Sequence, residues 1–252
     1  TGKGPGEFLD PTDFFWDEAN QNIVVLDNGK FMHFYTIEAN QPHFIKTIEI
    51  PENIHPFEVA IIKPDDKLAF ICGSWNPNLC ITDYNGLNLK YFFPYLNRNF
   101  SIELRNGLND NNENLLYRKY ANDTIYRITG TNVEPYKFID FRHDKSFSEL
   151  IQLSDNVQLR VLKERPLINL YFECDNSVYL KYSINGKEFY LFRNNSMQQF
   201  HVSKINMNND LYGSENLLCK GIDPITKSFV FSASPMKISS ILNEKPQSIN
   251  AR

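Results

Sequence analysis

Two short stretches carry the side chains best suited to hold a ligand. In Gly73-Ser74-Trp75-Asn76-Pro77-Asn78 a tryptophan stands inside a polar, turn-forming segment. Loop tips lie at the surface, so Trp75 is hard to justify there as core, and with Asn76 and Asn78 it could stack on a sugar or a peptide. Packing against a neighbouring element is the plainer role. In Asn53-Ile54-His55-Pro56-Phe57, His55 immediately precedes an apolar strand, where a side chain can project toward a shared axis. A loop histidine satisfied by backbone or water is the ordinary alternative. Arg165, before Pro166 in Lys163-Glu164-Arg165-Pro166-Leu167, is a third contact candidate.

Catalytic patterns are harder to find. The five histidines, His33, His43, His55, His143 and His201, are scattered, and none pairs at metal-ligand spacing. Asp140, His143 and Asp144 could form a small polar cluster, against a solvated turn. Asp27 and Asp83 follow strands at matching places in their segments, and an Asx turn satisfying backbone donors is the favoured role for both. There is no G-x-S-x-G elbow, although triads also assemble from distant positions. The cysteines, Cys72, Cys80, Cys174 and Cys219, form no C-x-x-C pair, which argues against zinc. Cys72 and Cys80 flank the Trp75 turn and could face each other across a hairpin. Two small buried hydrophobes are favoured over a disulfide.

The glycines of Gly2-Lys3-Gly4-Pro5-Gly6 raise the question of a phosphate loop, which must follow one strand and open a helix. Their spacing fits neither the Walker nor the dinucleotide pattern. Downstream of them stand Phe14-Phe15-Trp16 and the β-branched run Ile23-Val24-Val25-Leu26, which is strand material.

The chain has 252 residues and a net charge of -4, from 26 basic and 30 acidic side chains spread along its length. Without a basic stripe, nucleic acid and anionic membranes are poor partners. With 20 Phe and 13 Tyr the composition favours sheet over helix. No apolar run approaches the roughly 20 residues that span a bilayer, and the chain carries no signal-peptide pattern.

These residues must be positioned by a repeat. Phe14, Phe57 and Phe100 recur at an interval of 43 residues, and each opens a segment of short strands separated by polar turns. Four strands per unit describe a propeller blade. A third unit has strands at Leu115 to Lys119 and Thr124 to Ile128. A fourth reads through 159–194, with Asn185-Gly186 as a hairpin signal, and a fifth through 200–234. Continuous apolar runs such as Leu68 to Cys72 indicate strands buried on both faces. Between units three and four, Phe147, Leu150, Ile151 and Ser154 keep helical spacing, with Ser146 and Glu149 as a capping box, so a short helical insertion is expected near 146–156. The expected fold class is all-β: a β-propeller of four-stranded antiparallel blades over 1–242, with a frayed tail at 243–252.

The opening segment GKGPGEFLDPTDFFWDEANQNIVVLDNGKFMHFY resembles the NHL-type propeller repeat, and NDTIYRITGTNVEPYKFIDF and NNDLYG are similar to a six-bladed family abundant in Gram-negative gut bacteria. The resemblance implies six blades where about five are visible, so either an N-terminal blade is lacking or the fifth unit holds two degenerate pieces. It also implies a periplasmic or cell-surface protein, secreted or lipid-anchored. The function expected is a non-enzymatic binding or scaffold module, without a cofactor, that presents a loop face to a protein or glycan partner. The rival is a propeller hydrolase or lyase with a divalent cation such as calcium in the central channel. Side chains of Asp, Asn or His converging from three or more blades would favour the rival, and an apolar channel would favour the binder.

Overall fold

The computed structural model of the protein describes residues 4, 6–63, 65–72, 78–93, 107–110, 114–119, 122–142, 149, 155–174, 177–194, 199–203, 218–223, 226 and 228–232. The chain forms two compact units, Thr1–Leu159 and Arg160–Arg252.

The first unit contains three antiparallel four-stranded meanders. They are β1 (Pro11–Asp17), β2 (Asn22–Asp27), β3 (Phe31–Glu38) and β4 (Gln41–Glu49); β5 (Pro56–Ile62), β6 (Lys67–Cys72), β7 (Leu79–Asp83) and β8 (Lys90–Phe92); and β9 (Gly107–Asp110), β10 (Leu115–Arg118), β11 (Thr124–Thr129) and β12 (Asn132–Phe138). The first strands lie side by side, β1 against β5 and β5 against β9, so they are the inner strands. Pro42 and Pro135 fall in the outer strands β4 and β12, where a missing N–H breaks no central ladder. The inner strands of the first two sheets start at Pro11 and Pro56, close to the expected phase. Phe100 lies outside the described residues, and the third inner strand starts at Gly107.

Sheet two explains the apolar runs. On β6, Leu68, Phe70 and Cys72 join Val24, Leu26, Met32 and Phe34 of the first sheet in one core. Ala69 and Ile71 turn the other way and join Leu115, Tyr117 and Ile128 of the third sheet. A strand packed on both faces has no solvent side to alternate toward. The burial of these side chains from water is the main favourable term holding the three sheets together.

Next in sequence comes helix α1 (Asp155–Glu164), which begins within the stretch expected to be helical and runs on to Glu164. Glu149 is also helical, and the other residues from 143 to 154 lie outside the description. The second unit contains a fourth four-stranded sheet, β13 (Leu167–Cys174), β14 (Ser177–Ile184), β15 (Lys187–Asn194) and β16 (Gln199–Ser203), and a pair, β17 (Leu218–Ile222) with β18 (Phe229–Ser232). Tyr179 packs on Phe231 and Phe229, with centroids 5.6 and 6.1 Å away, and joins the two sheets in one core. Residues 200–203, expected to open a fifth unit, instead complete the fourth sheet, because Phe200 continues the β15 ladder opposite Arg193. Asn185 and Gly186, with φ of 52° and 72°, make the expected hairpin in the left-handed geometry that a two-residue turn requires. Asn28 and Gly29, at φ of 50° and 59°, take the same left-handed geometry in the three-residue turn between β2 and β3. The fold class is the expected one, an all-β propeller type built of four-stranded antiparallel blades.

Candidate functional site

Alternating strand direction gives every blade two ends. The start of the inner strand and the loop between the second and third strands share one of them, called here the link end. His55, one residue before β5, is exposed at the link end of the second sheet. Trp75 and Asn76 lie outside the described residues. The strands that bound them, β6 ending at Cys72 and β7 starting at Leu79, place the base of their loop at the same end of the same sheet. Arg165 also precedes the first strand of a sheet, β13, but it belongs to the second unit. It is buried, at 5% exposure, and its N–H donates to the Val161 carbonyl at 3.0 Å as α1 ends. Asp140 accepts the Arg142 N–H at 2.8 Å in a local turn, and His143 and Asp144 lie outside the description.

The link end of the first sheet is built around a buried carboxylate. Asp27, 2% exposed at the end of β2, accepts the Leu9 N–H at 3.0 Å and the Asp10 N–H at 2.6 Å. His33 Nε2 stands 3.3 Å from Asp27 Oδ2, and His33 Nδ1 lies 2.8 Å from Thr47 Oγ1. Burial alone would push the Asp27 carboxyl up. The two N–H groups and His33 outweigh it and hold the group below the ordinary carboxylate range. Carboxylate, imidazole and hydroxyl in series have the order of a nucleophilic triad. Here two backbone donors occupy the carboxylate, and the threonine stands on the outer strand. The arrangement clamps the incoming segment at Leu9 and Asp10 onto three strands. The adjoining turn fits closely too: a Cβ on Gly29, at φ 59°, would stand 2.8 Å from the Pro56 carbonyl oxygen, beside His55.

A second pair of carboxylates lies along the inner strands. Asp13 on β1 accepts the Val59 N–H of β5 at 2.8 Å, and Glu58 on β5 accepts the Leu108 N–H of β9 at 2.8 Å. Both residues directly follow the irregularity near the start of their strand, at Pro11/Asp13 and Pro56/Glu58. They are therefore the same position in consecutive blades, and each ties its inner strand to the next. The corresponding position on β13, after the shift at Ile168/Leu170, is Leu170. Burial pushes the Glu58 carboxyl up to about 7, with Asp13 adding to the shift and the Leu108 N–H and Arg118 opposing it. Asp13 is raised as well, mainly by burial. A carboxyl that titrates near neutrality is suited to proton transfer as well as to structure. Among the described residues, no three His, Cys, Asp or Glu side chains come together to hold a metal ion.

Sequence reasoning passed over Asp13, Glu58 and the Asp27–His33 pair. A signal for the first two was present in Pro11-Thr12-Asp13 and Pro56-Phe57-Glu58, a Pro-x-acid triplet repeated at the start of two inner strands. The imidazole of His33 gave none, because its partner is set by pairing of β2 with β3.

No helix among the described residues is long and apolar enough to cross a membrane. No curated protein matches the chain in sequence. Among solved structures, a protein described as exported, from Bacteroides fragilis, is similar at a TM-score of 0.60 and 16% identity over 81% of this chain. The chain spans 60% of that protein's length. A member of the duf4221 family from Bacteroides vulgatus gives a TM-score of 0.48 and 11% identity, covering 79% of this chain and 67% of the other. The WD40 domain of SCAP from fission yeast gives 0.35 and 11%, covering 68% and 38%. A family model described as "Domain of unknown function (DUF4934)" matches residues 1–251, and the chain belongs to that family.

Proposed function

We propose that this chain is a non-enzymatic binding or scaffold module, acting outside the cytoplasm as one propeller domain over 1–242, whose link end meets a protein or glycan partner. One observation carries the reading. The exposed side chains of the inner strands β1 and β5 are Pro11, Thr12, Phe14, Trp16 and Phe57, and none of them is charged. The carboxylates on those strands, Asp13 and Glu58, bond the backbone of the neighbouring blade. An uncharged, mainly apolar set of exposed side chains on these two strands supports the binder over the rival. The exported description of the Bacteroides fragilis protein and the NHL-like opening motif support a secreted or lipid-anchored location.

The test is a panel of glycans and of purified extracellular proteins presented to the wild type, His55→Ala, and Trp75→Ala with Asn76→Ala. A partner whose affinity falls tenfold or more in the link-end variants supports the proposal. Binding that is indifferent to all three residues overturns it. The second reading, a hydrolase or lyase holding a divalent cation such as calcium, is favoured by the Glu58 carboxyl near 7. Metal analysis of the purified protein decides it, because that reading requires one cation per chain.

A further inference from the structure

Cys72 closes β6, and Cys80 is the second residue of β7. In the register of this hairpin Phe70 stands opposite Cys80 and Ile71 opposite Leu79, and the Cys72 N–H continues the ladder to the Asn78 carbonyl at 3.3 Å. The two cysteines are thus diagonal neighbours on one face of the sheet. Both are fully buried, and their Sγ atoms are 3.4 Å apart. A disulfide needs an S–S distance of about 2.05 Å, so the two sulfurs must approach by roughly 1.4 Å to bond, the side chains turning and the end of the hairpin adjusting with them.

We propose that Cys72 and Cys80 are a disulfide-forming pair that closes the base of the 73–77 loop when the chain folds in the presence of an oxidising disulfide. The chemistry is thiol–disulfide exchange. One cysteine thiolate attacks a sulfur of the acceptor disulfide, forming a mixed disulfide and releasing one acceptor thiolate. The other cysteine thiolate attacks the mixed disulfide at the protein sulfur and releases the second. The pair loses two electrons, the acceptor gains them, and the two thiol protons end on the two acceptor thiols. The step belongs to folding, before the sheets close. Once buried, the Cys72 thiol donates to or accepts from Cys80, and this contact, together with burial, pushes its ionisation up and leaves little thiolate to react. The loop so closed is the one carrying Trp75 and Asn76.

Both cysteines fall in the single tryptic peptide 68–90, so its mass reports the pair directly. The chain is refolded with glutathione disulfide, denatured without reductant, alkylated and digested. The proposal expects this peptide to carry no label and to be lighter by two hydrogens than its reduced form, and to take two labels after reduction. Two labels without reduction would overturn it, as would a bond joining Cys72 or Cys80 to Cys174 or Cys219. A second measurement keeps the test independent of any variant's folding. Alkylation of native protein purified under reducing conditions leaves peptide 68–90 unlabelled if burial confines the exchange to folding, and rapid labelling contradicts that part.

Discussion

The two ends of the first two blades are held by different kinds of contact. At the link end of the first, Asp27 reaches residues 17 and 18 positions away and bridges three strands through His33. At the opposite end of the second, Asp83 reaches only 2 to 5 positions, accepting the N–H groups of Asn85 and Leu87 and the side-chain amide of Asn88. The opposite end also has long ties, the Tyr84 hydroxyl donating to Asp17, exposed Lys63 to Glu18, and Lys90 to Thr131 of the third sheet. The two aspartates look alike in sequence, yet only Asp83 makes the Asx turn expected of both. Asp27 is a clamp. A rigid base at the link end is what a ligand-bearing loop face requires, because contacts on loops are only as well positioned as their support.

The largest effect that would sharpen this contrast is Asp27→Ala. It strands two backbone donors and His33, and a loss of about 3–5 kcal/mol in urea unfolding is expected. The pH dependence has a definite sign. Because the folded carboxyl is depressed, its contribution is present above the unfolded value and is lost as pH falls through the folded one, so Asp27→Asn should flatten the acid limb.

The Cys72–Cys80 bond is expected to add about 2.5 kcal/mol by the loop-entropy estimate. That corresponds to a thermal midpoint higher by on the order of 5–10 °C in the oxidised chain, a difference absent in Cys80→Ser.

Glu58 has the opposite sign to Asp27. Its folded value of about 7 exceeds the ordinary 4.5, so its contribution is present below about 4.5 and is lost as pH rises to about 7. Glu58→Gln, which keeps an oxygen for the Leu108 N–H, should remove that slope, a change on the order of 3 kcal/mol.

The smallest effect is expected at Asp83→Ala, about 0.5–1 kcal/mol, since a surface turn can take its hydrogen bonds from water. An Asp83 effect as large as that of Asp27 would break the comparison between the ends.

The blades were legible because their signals are local. Four strands per unit, turns such as Asn185-Gly186 and the doubly buried run Leu68 to Cys72 follow from propensity and period alone. The limits of the third and fourth sheets were less so. Phe200 stands before a short strand-like stretch as Phe14 and Phe57 do, and only its pairing with Arg193 shows that it ends a blade. The site was the least legible part. His55 was placed correctly ahead of an inner strand, but Asp27, Asp13 and Glu58 take their meaning from donors on other strands. Arg165 has the sequence context of a loop contact, yet the end of α1 and the start of β13 bury it.

The central claim is that the link end is the binding face. Its most direct test compares the affinity of one identified glycan or protein ligand for His55→Ala and Trp75→Ala with that for Asn85→Ala and Asn20→Ala, which alter the opposite end. Link-end losses of tenfold or more, with opposite-end variants within twofold of wild type, are the result expected. Losses confined to the opposite end would contradict it.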